Sequence, residues 1–537
     1  MEKGGTLGSD ASVFLRPEAS MEPLVCGWYA WSYLVSPAQH ALNIVHRHIP
    51  LLQSFVKNPG SHVAAATDPS LFGGPFVSLN EGRVPEVRQL LRETETRCAN
   101  LIALANDFKR LDIKLHESAT GFSLSEFYSQ LPPSWAGLLE FHYDINHQPK
   151  IRICEELLYD EDLGAESQEI ILSLQRDEER AFFMSTPRLR SPDAIVRPMP
   201  FSDRRLDLLS SMRIRAAPIA QVAREFCIPS DQMCLFHRLF TAEAPPRCDP
   251  EYLGAAVRIR YFGHACVLIQ SAGTSILIDP MLTRDLHPSD GRFTIHDLPD
   301  RIDYLLLSHN HQDHCSPEML IQLRHRVECV VVPRNNSGNI ADPSMKLALQ
   351  YLGFQHIVVL EPFEQVRIGD GVITSLPFPG EHVDLDIYSR HGIHIEIMGR
   401  KLVFLVDSDG RDCNLYRRTV KRVGRNIDAL FLGMECHGAP LSWLYGPLLS
   451  KAISRKNDES RRLSGLDSER AWQVLQEFSA RNVFVYAMGQ EPWLKYIMGL
   501  QYTPDSVQLK EVAKFLDCCE QANIIAKHLY ISEQFEL

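Results

Sequence analysis

Three imidazoles and a carboxylate crowd one short stretch, Ser308-His-Asn-His-Gln-Asp-His-Cys315. His309 and His311 are separated by a single residue, so both rings can reach one ion. Asp313 and His314 lie further along and can serve a second ion close by. Imidazole mixed with carboxylate suits zinc, iron or manganese. A surface or satisfied core histidine would not need this spacing at four positions. The chemistry implied is that of half a two-metal centre.

A rigid element must deliver such a loop. Tyr304-Leu-Leu-Leu307 just before it is apolar and reads as a buried strand. The missing ligands should come from the ends of later strands. Pro377-Phe-Pro-Gly-Glu-His382 follows one and offers Glu381 or His382; neighbouring side chains near a strand end point opposite ways, so one of the two binds. Asp407 follows Leu402-Val-Phe-Leu-Val406, where a carboxylate can bridge two ions, ligate one or cap a turn. Glu435 ends another strand and reads as a substrate contact or a structural acid. Asp279 in Leu277-Ile-Asp-Pro280 could orient a ligand histidine or simply make an Asp-Pro turn. His264 in Gly263-His-Ala265 has the same two readings.

The strands around these residues are short and β-branched: Val257–Tyr261, Ala265–Ile269, Ser275–Ile278, Cys329–Val332, His356–Leu360, Val372–Leu376, His394–Ile397 and Ala429–Leu432. Helical patterns intervene at 317–324 and 344–352. This is an α/β arrangement with its chemistry on loops at strand ends. A proline-rich connector, Thr241–Pro250, precedes it. Upstream the chain reads as mostly helical. Val87, Leu90, Leu91, Cys98, Leu101, Ile102, Ala105, Phe108 and Leu111 form one apolar stripe on a long helix beginning near Pro85. Ile219–Gln232 has a helix-turn-helix outline, but no basic face accompanies it, so a plain helical hairpin is expected. Two domains follow, 1–245 and 256–537.

The chain has 537 residues, 45% of them hydrophobic and 23% charged, an ordinary globular composition. Its net charge of -12 argues against nucleic acid or an anionic membrane as the main partner. Residues 1–10 lack the apolar core of a signal peptide, and no apolar run is long enough to span a bilayer. Thirteen cysteines without a C-x-x-C pair fit reduced thiols in the cytoplasm. Adjacent Cys518 and Cys519 read as buried apolar residues. No Rossmann-type glycine fingerprint follows a strand, which points to a separate reductase if electrons are needed.

The motif His309-x-His311-x-Asp313-His314, preceded by Gly263-His-Ala265 and Ile278-Asp-Pro280, resembles the metallo-β-lactamase superfamily. Other segments resemble the diiron β-hydroxylases typified by that of chloramphenicol biosynthesis: Gly27-Trp-Tyr-Ala-Trp-Ser-Tyr33, Phe378–Leu385, Trp443-Leu-Tyr-Gly-Pro447, Ser460–Leu463, Tyr486–Gly489 and Gln490-Glu-Pro-Trp493. This likeness runs from near residue 21 to the C-terminus. It implies an αβ/βα sandwich preceded by a mainly helical N-terminal α+β domain for dimerisation and carrier docking. It implies His309, His311 and Glu381 on one iron, and Asp313, His314 and Asp407 on the other, with Asp407 placed to bridge. Glu435 would lie near the substrate and His382 would not ligate. The implied reaction is hydroxylation of the β-carbon of an amino acid held on a nonribosomal peptide synthetase carrier domain, with dioxygen as co-substrate, an external reductase and a homodimeric enzyme.

Hydrolases of the superfamily usually carry a histidine after the Pro-Gly pair, where Glu381 stands here. The acid gives three nitrogen and three oxygen ligands. Anionic oxygen donors favour higher-valent iron and make a metal-bound water less acidic, which suits oxidation over hydrolysis. A dinuclear zinc hydrolase, with His382 turned inward, is the competing expectation.

Overall fold

The computed structural model describes residues 11–537 apart from 162, 285, 287–290 and 500. The leader reading of residues 1–10 lies outside the described residues. Arg258–Tyr261, Val267–Ser271 and Thr274–Ile278 pair antiparallel, and Ile302–Leu306, Val327–Pro333 and Ile357–Leu360 extend the sheet in parallel. Glu533–Glu536 closes the other edge, making seven strands. A second seven-stranded sheet repeats the plan. Gln365–Ile368, Gly371–Leu376, Gly392–Ile397 and Arg400–Leu405 are antiparallel; Ala429–Gly433, Asn482–Tyr486 and Ile525–His528 are parallel.

The sheets pack face to face through Ile259, Ile276, Leu306, Ile395, Phe404 and Phe431. Helices Cys413–Val423, Ser468–Phe478 and Val507–Gln521 cover the outside of the second sheet. Pro317–Leu323 and Met345–Tyr351 belong to the core on the outside of the first. These are the four layers of an αβ/βα sandwich. Strands buried on both faces explain the near-continuous apolar runs at 329–332 and 429–432.

The N-terminal region combines a four-stranded sheet, ordered Trp28–Tyr29, Ala19–Val25, Gln168–Leu174, Ala194–Pro198, with helices that include Pro37–Asn43, Ile49–Lys57, Val84–Arg97 and Ala99–Ser118. The apolar stripe from Val87 to Leu111 therefore spans two helices, not one. They break at Cys98, whose φ of -101° and ψ of 21° leave the helical region. Periodicity survives a break that costs no phase, so the stripe could not reveal it. Cys98 also lies against Cys26. The two Cα atoms stand 7.9 Å apart, wider than the roughly 4.4–6.8 Å of an ordinary bridge. Cys519 is buried as expected, whereas Cys518 on the next face of its helix is exposed. Ile219–Glu225 and Met233–His237 form a short helical hairpin. Among the described residues no helix is long and apolar enough to cross a membrane.

The two regions interlock behind the histidine loop. Glu318, at the start of helix Pro317–Leu323, is fully buried and accepts hydrogen bonds from Tyr29 Oη and Arg180, each at 2.9 Å, and from Arg284. Arg180 and Arg188 also grip Glu22. Burial alone would raise the Glu22 carboxyl, but the two guanidinium charges outweigh it and hold it down at about 2. Removing one partner of such a buried ion pair costs about 3–5 kcal/mol. Trp28, Tyr29, Trp31 and Tyr33 are all buried, so the aromatic cluster is core.

Candidate metal centre

Parallel pairing puts the ends of Thr274–Ile278 and Ile302–Leu306 side by side, and likewise those of Arg400–Leu405 and Ala429–Gly433. Asp279, His309–His314, Asp407 and Glu435 thus emerge at one edge of the sandwich, where open α/β sheets bind ligands. Asp407 turns there with φ 53°, and a Cβ on the neighbouring Gly433 would stand 2.7 Å from its amide nitrogen. Glycine is required at 433 to let that turn form.

Two groups of buried donors result. His309, His311, Glu381 and Asp407 make one; His264, Asp313 and His314 make the other. Asp407 joins them, with Oδ2 3.4 Å from His309 Nε2 and 3.0 Å from His314 Nε2. His311 Nδ1 is 3.3 Å from Glu381 Oε1, and His314 Nε2 is 3.3 Å from Asp313 Oδ2. His382 lies outside both groups. Its ring centroid is 4.9 Å from that of His311, beside the cluster rather than in it.

The donors are aimed from behind. His314 Nδ1 is 3.0 Å from Asp279 Oδ2, and Asp279 also accepts from the Ser308 amide at 2.7 Å and the Ser308 hydroxyl at 2.5 Å. Asp279 is therefore an orienting group as well as a turn residue. His309 Nδ1 meets Ser308 Oγ at 3.0 Å, and His311 Nε2 meets Tyr445 Oη at 3.2 Å. His264 Nε2 lies 2.9 Å from Asp313 Oδ2, and the His264 amide donates to Glu491 at 2.7 Å. Outer contacts of this kind fix the tautomer and ring direction of a ligand histidine.

What remains unsatisfied indicates what the cage is for. His309 Nε2, His314 Nε2 and Glu381 Oε2 are buried yet make no hydrogen bond of good geometry. Burial, then the charges of Asp407, Glu435 and Asp313, push the Glu381 carboxyl well above its ordinary range. Burial and the acids Asp407 and Asp313 do the same to Glu435. Buried nitrogen and oxygen atoms without hydrogen-bond partners, gathered in a cluster of acids, fit a pair of multivalent cations.

Comparison with known proteins bears on this geometry. Residues 14–245 match the model of the diiron non-heme β-hydroxylase N-terminal domain, and 258–404 match the β-lactamase superfamily domain. The 4-amino-L-phenylalanyl-[CmlP-peptidyl-carrier-protein] 3-hydroxylase of Streptomyces venezuelae is 33% identical over 495 residues, 91% of this chain and 93% of that one. The chain belongs to the diiron non-heme β-hydroxylase family. The crystal structure of CmlA, a diiron β-hydroxylase from the same organism, superposes with a TM-score of 0.92 at 30% identity, over 98% of this chain and all of that one. Likeness to a UPF0173 protein of Pyrococcus abyssi, 29% identical, covers 24% of the chain. Membership makes this protein a non-haem diiron monooxygenase, and the hydrolase expectation gives way.

The structure gives roles to the motifs that the sequence left open. Trp443-Leu-Tyr-Gly-Pro447 supplies Tyr445 behind His311. Gln490-Glu-Pro-Trp493 supplies Glu491 under His264. Arg461 in Ser460–Leu463 donates to the Val383 carbonyl, tying down the loop that carries Glu381. Sequence reading missed Ser308, Tyr445 and Glu491 as supports, because their partners are remote or lie behind the ring. Their presence inside family-like segments was the available signal. Glu435 lines a cavity of about 30 Å³ with His311, Asp313, Glu381 and Trp443.

Proposed function

We propose that this β-hydroxylase acts on the β-carbon of an amino acid tethered to a nonribosomal peptide synthetase carrier domain. In this reading His309, His311 and Glu381 would hold one iron, and Asp313, His314 and Asp407 would hold the other. Bound there, the iron pair would supply dioxygen activation and oxidation of a C–H bond. The chain's own task is geometry. Asp279 and Ser308 orient His314 and His309, Tyr445 holds His311, and His264 steadies Asp313. Glu435, facing the small cavity, contacts the substrate. The supporting observation is Glu381 inside the donor group with His382 outside it: an acid where a zinc hydrolase needs imidazole.

An external reductase supplies electrons, and the N-terminal region supports dimer formation and carrier docking. The setting is cytoplasmic. Carrier docking is supported by the relative, whose printed activity is on a peptidyl-carrier-bound amino acid. The test is to load the full chain with iron and incubate it with a panel of aminoacyl-carrier domains, dioxygen and a chemical reductant. A carrier-bound product heavier by one oxygen atom is expected. Turnover of esters without oxygen or reductant by a zinc-loaded protein would overturn the reading.

A further inference from the structure

The cavity at the metal group holds about 30 Å³, the room of roughly one water. A whole amino acid with its thioester does not fit. Directly outside it, at the junction of the N-terminal region and the sandwich, lies a cavity of about 520 Å³ lined by His46, Arg47, Ser54, Phe182 and, shared with the inner cavity, Met184 and Trp443. We propose that the outer cavity takes the phosphopantetheine arm of an aminoacylated carrier, and that Trp443 with Met184 is the wall its aminoacyl end displaces to reach the metal group. The assignment rests on the carrier-tethered reading above and adds where the arm enters.

The chemistry of the lining matches that occupant. The arm is a slender chain with amides, a dimethyl branch and a phosphodiester at its outer end. Phe182, Met184 and Pro447 provide apolar wall, and Ser54 and Ser185 provide hydroxyls. Arg47 provides positive charge, and the exposed His46 provides a ring N–H that can donate to a phosphate oxygen. Lys109 stands beside them: its ammonium bonds the carbonyl of Leu449, just past the turn that lines the cavity, and its charge, after burial, holds His46 below its usual pKa. The cations match the phosphate and the apolar wall matches the chain.

The backbone is unusual at the same place. Ile44–His48 is a π-helical turn between two α-helices, and it carries both His46 and Arg47. Single π turns inside helices recur at functional sites. The Trp443 indole lies between Gly73 and Gly499, where an added Cβ would come within 2.0 Å and 2.7 Å of the ring. Arg47 also donates to the carbonyls of Ser442 and Trp443, so the guanidinium that faces an arriving phosphate also holds the backbone of the wall.

The probe is 4′-phosphopantetheine, with pantetheine as its uncharged counterpart, added to the iron-loaded full chain and read by ligand-detected NMR. Ser54→Trp fills the outer cavity from an exposed helical position and should weaken both probes at least tenfold. His46→Ala should weaken the phosphorylated probe several-fold and leave pantetheine unchanged. Tryptophan emission should shift with the probe in the unmodified protein and not in Trp443→Phe. Equal binding to the unmodified chain and Ser54→Trp, or no binding to the unmodified chain, overturns the assignment; if Ser54→Trp fails to fold, His46→Ala decides alone. The carrier reading fails separately: a chain that hydroxylates free amino acid and ignores carriers refutes it, whereas carrier turnover that survives Ser54→Trp refutes only the cavity.

Discussion

The Ser32 hydroxyl donates to the carbonyl of Asn310 at 3.0 Å, so the N-terminal region holds the histidine loop directly. Tyr29 Oη reinforces the link through Ser316 and Glu318. Both donors come from the aromatic segment Gly27–Tyr33, whose rings are core and whose hydroxyls reach the loop. Ser32→Ala should cost about 0.5–1.5 kcal/mol of stability. Denaturant unfolding measures that cost, and iron retention on dialysis should fall with it. A variant that is destabilised but keeps iron as firmly as the parent would show that the contact supports the fold and not the site.

Glu381→His replaces an oxygen donor by a nitrogen donor in the first group. Oxygenase activity should fall, and metal analysis after growth with mixed metals should shift toward zinc. Full iron occupancy and activity in Glu381→Ala would remove Glu381 from the ligand set.

Asp279→Ala leaves His314 without the acceptor on Nδ1. Loss of such an outer partner typically costs about 10–100-fold in metal affinity or activity. A metal-competition titration should show the loss. Asp279→Asn should recover part of it, because an amide oxygen can still accept from the imidazole.

Gly433→Ala drives a Cβ against the Asp407 backbone, which has no flexible end to move aside. The turn at Asp407 should shift, lowering iron content more than global stability. Comparing metal content with the thermal midpoint separates the two effects.

Glu155 is a pH probe away from the metal group. Its buried carboxyl accepts the Ser344 amide at 2.9 Å and is pushed up to about 8, chiefly by burial, with Asp342 and Glu156 adding to the rise. The folded chain then keeps a proton that the unfolded chain releases from the ordinary carboxyl value of 4.5 upward. Its contribution to stability is full below that value and is lost as pH rises through the folded one. Glu155→Gln keeps an acceptor for Ser344 and cannot ionise. It should be more stable than the parent by roughly 1–3 kcal/mol near the upper end of that window, with the gap closing toward the lower end. An unchanged gap across this range would count against a buried, protonated Glu155.

Much of this was legible in residue order because it is local. A strand followed by His-x-His-x-Asp-His declares its chemistry within the single segment Tyr304–His314, and β-branched runs declare the sheets. The acids at 381, 407 and 435 were readable as strand-end residues for the same reason. Residue order did not settle between Glu381 and His382, since both directions are open at a strand end until the loop 381–385 is tied down by Arg461. The break at Cys98, its contact with Cys26, and the supports from Ser32, Tyr445 and Glu491 join segments far apart in the chain. Such pairings depend on how sheets and helices stack, a property of the packed core, and only the tertiary structure decided them.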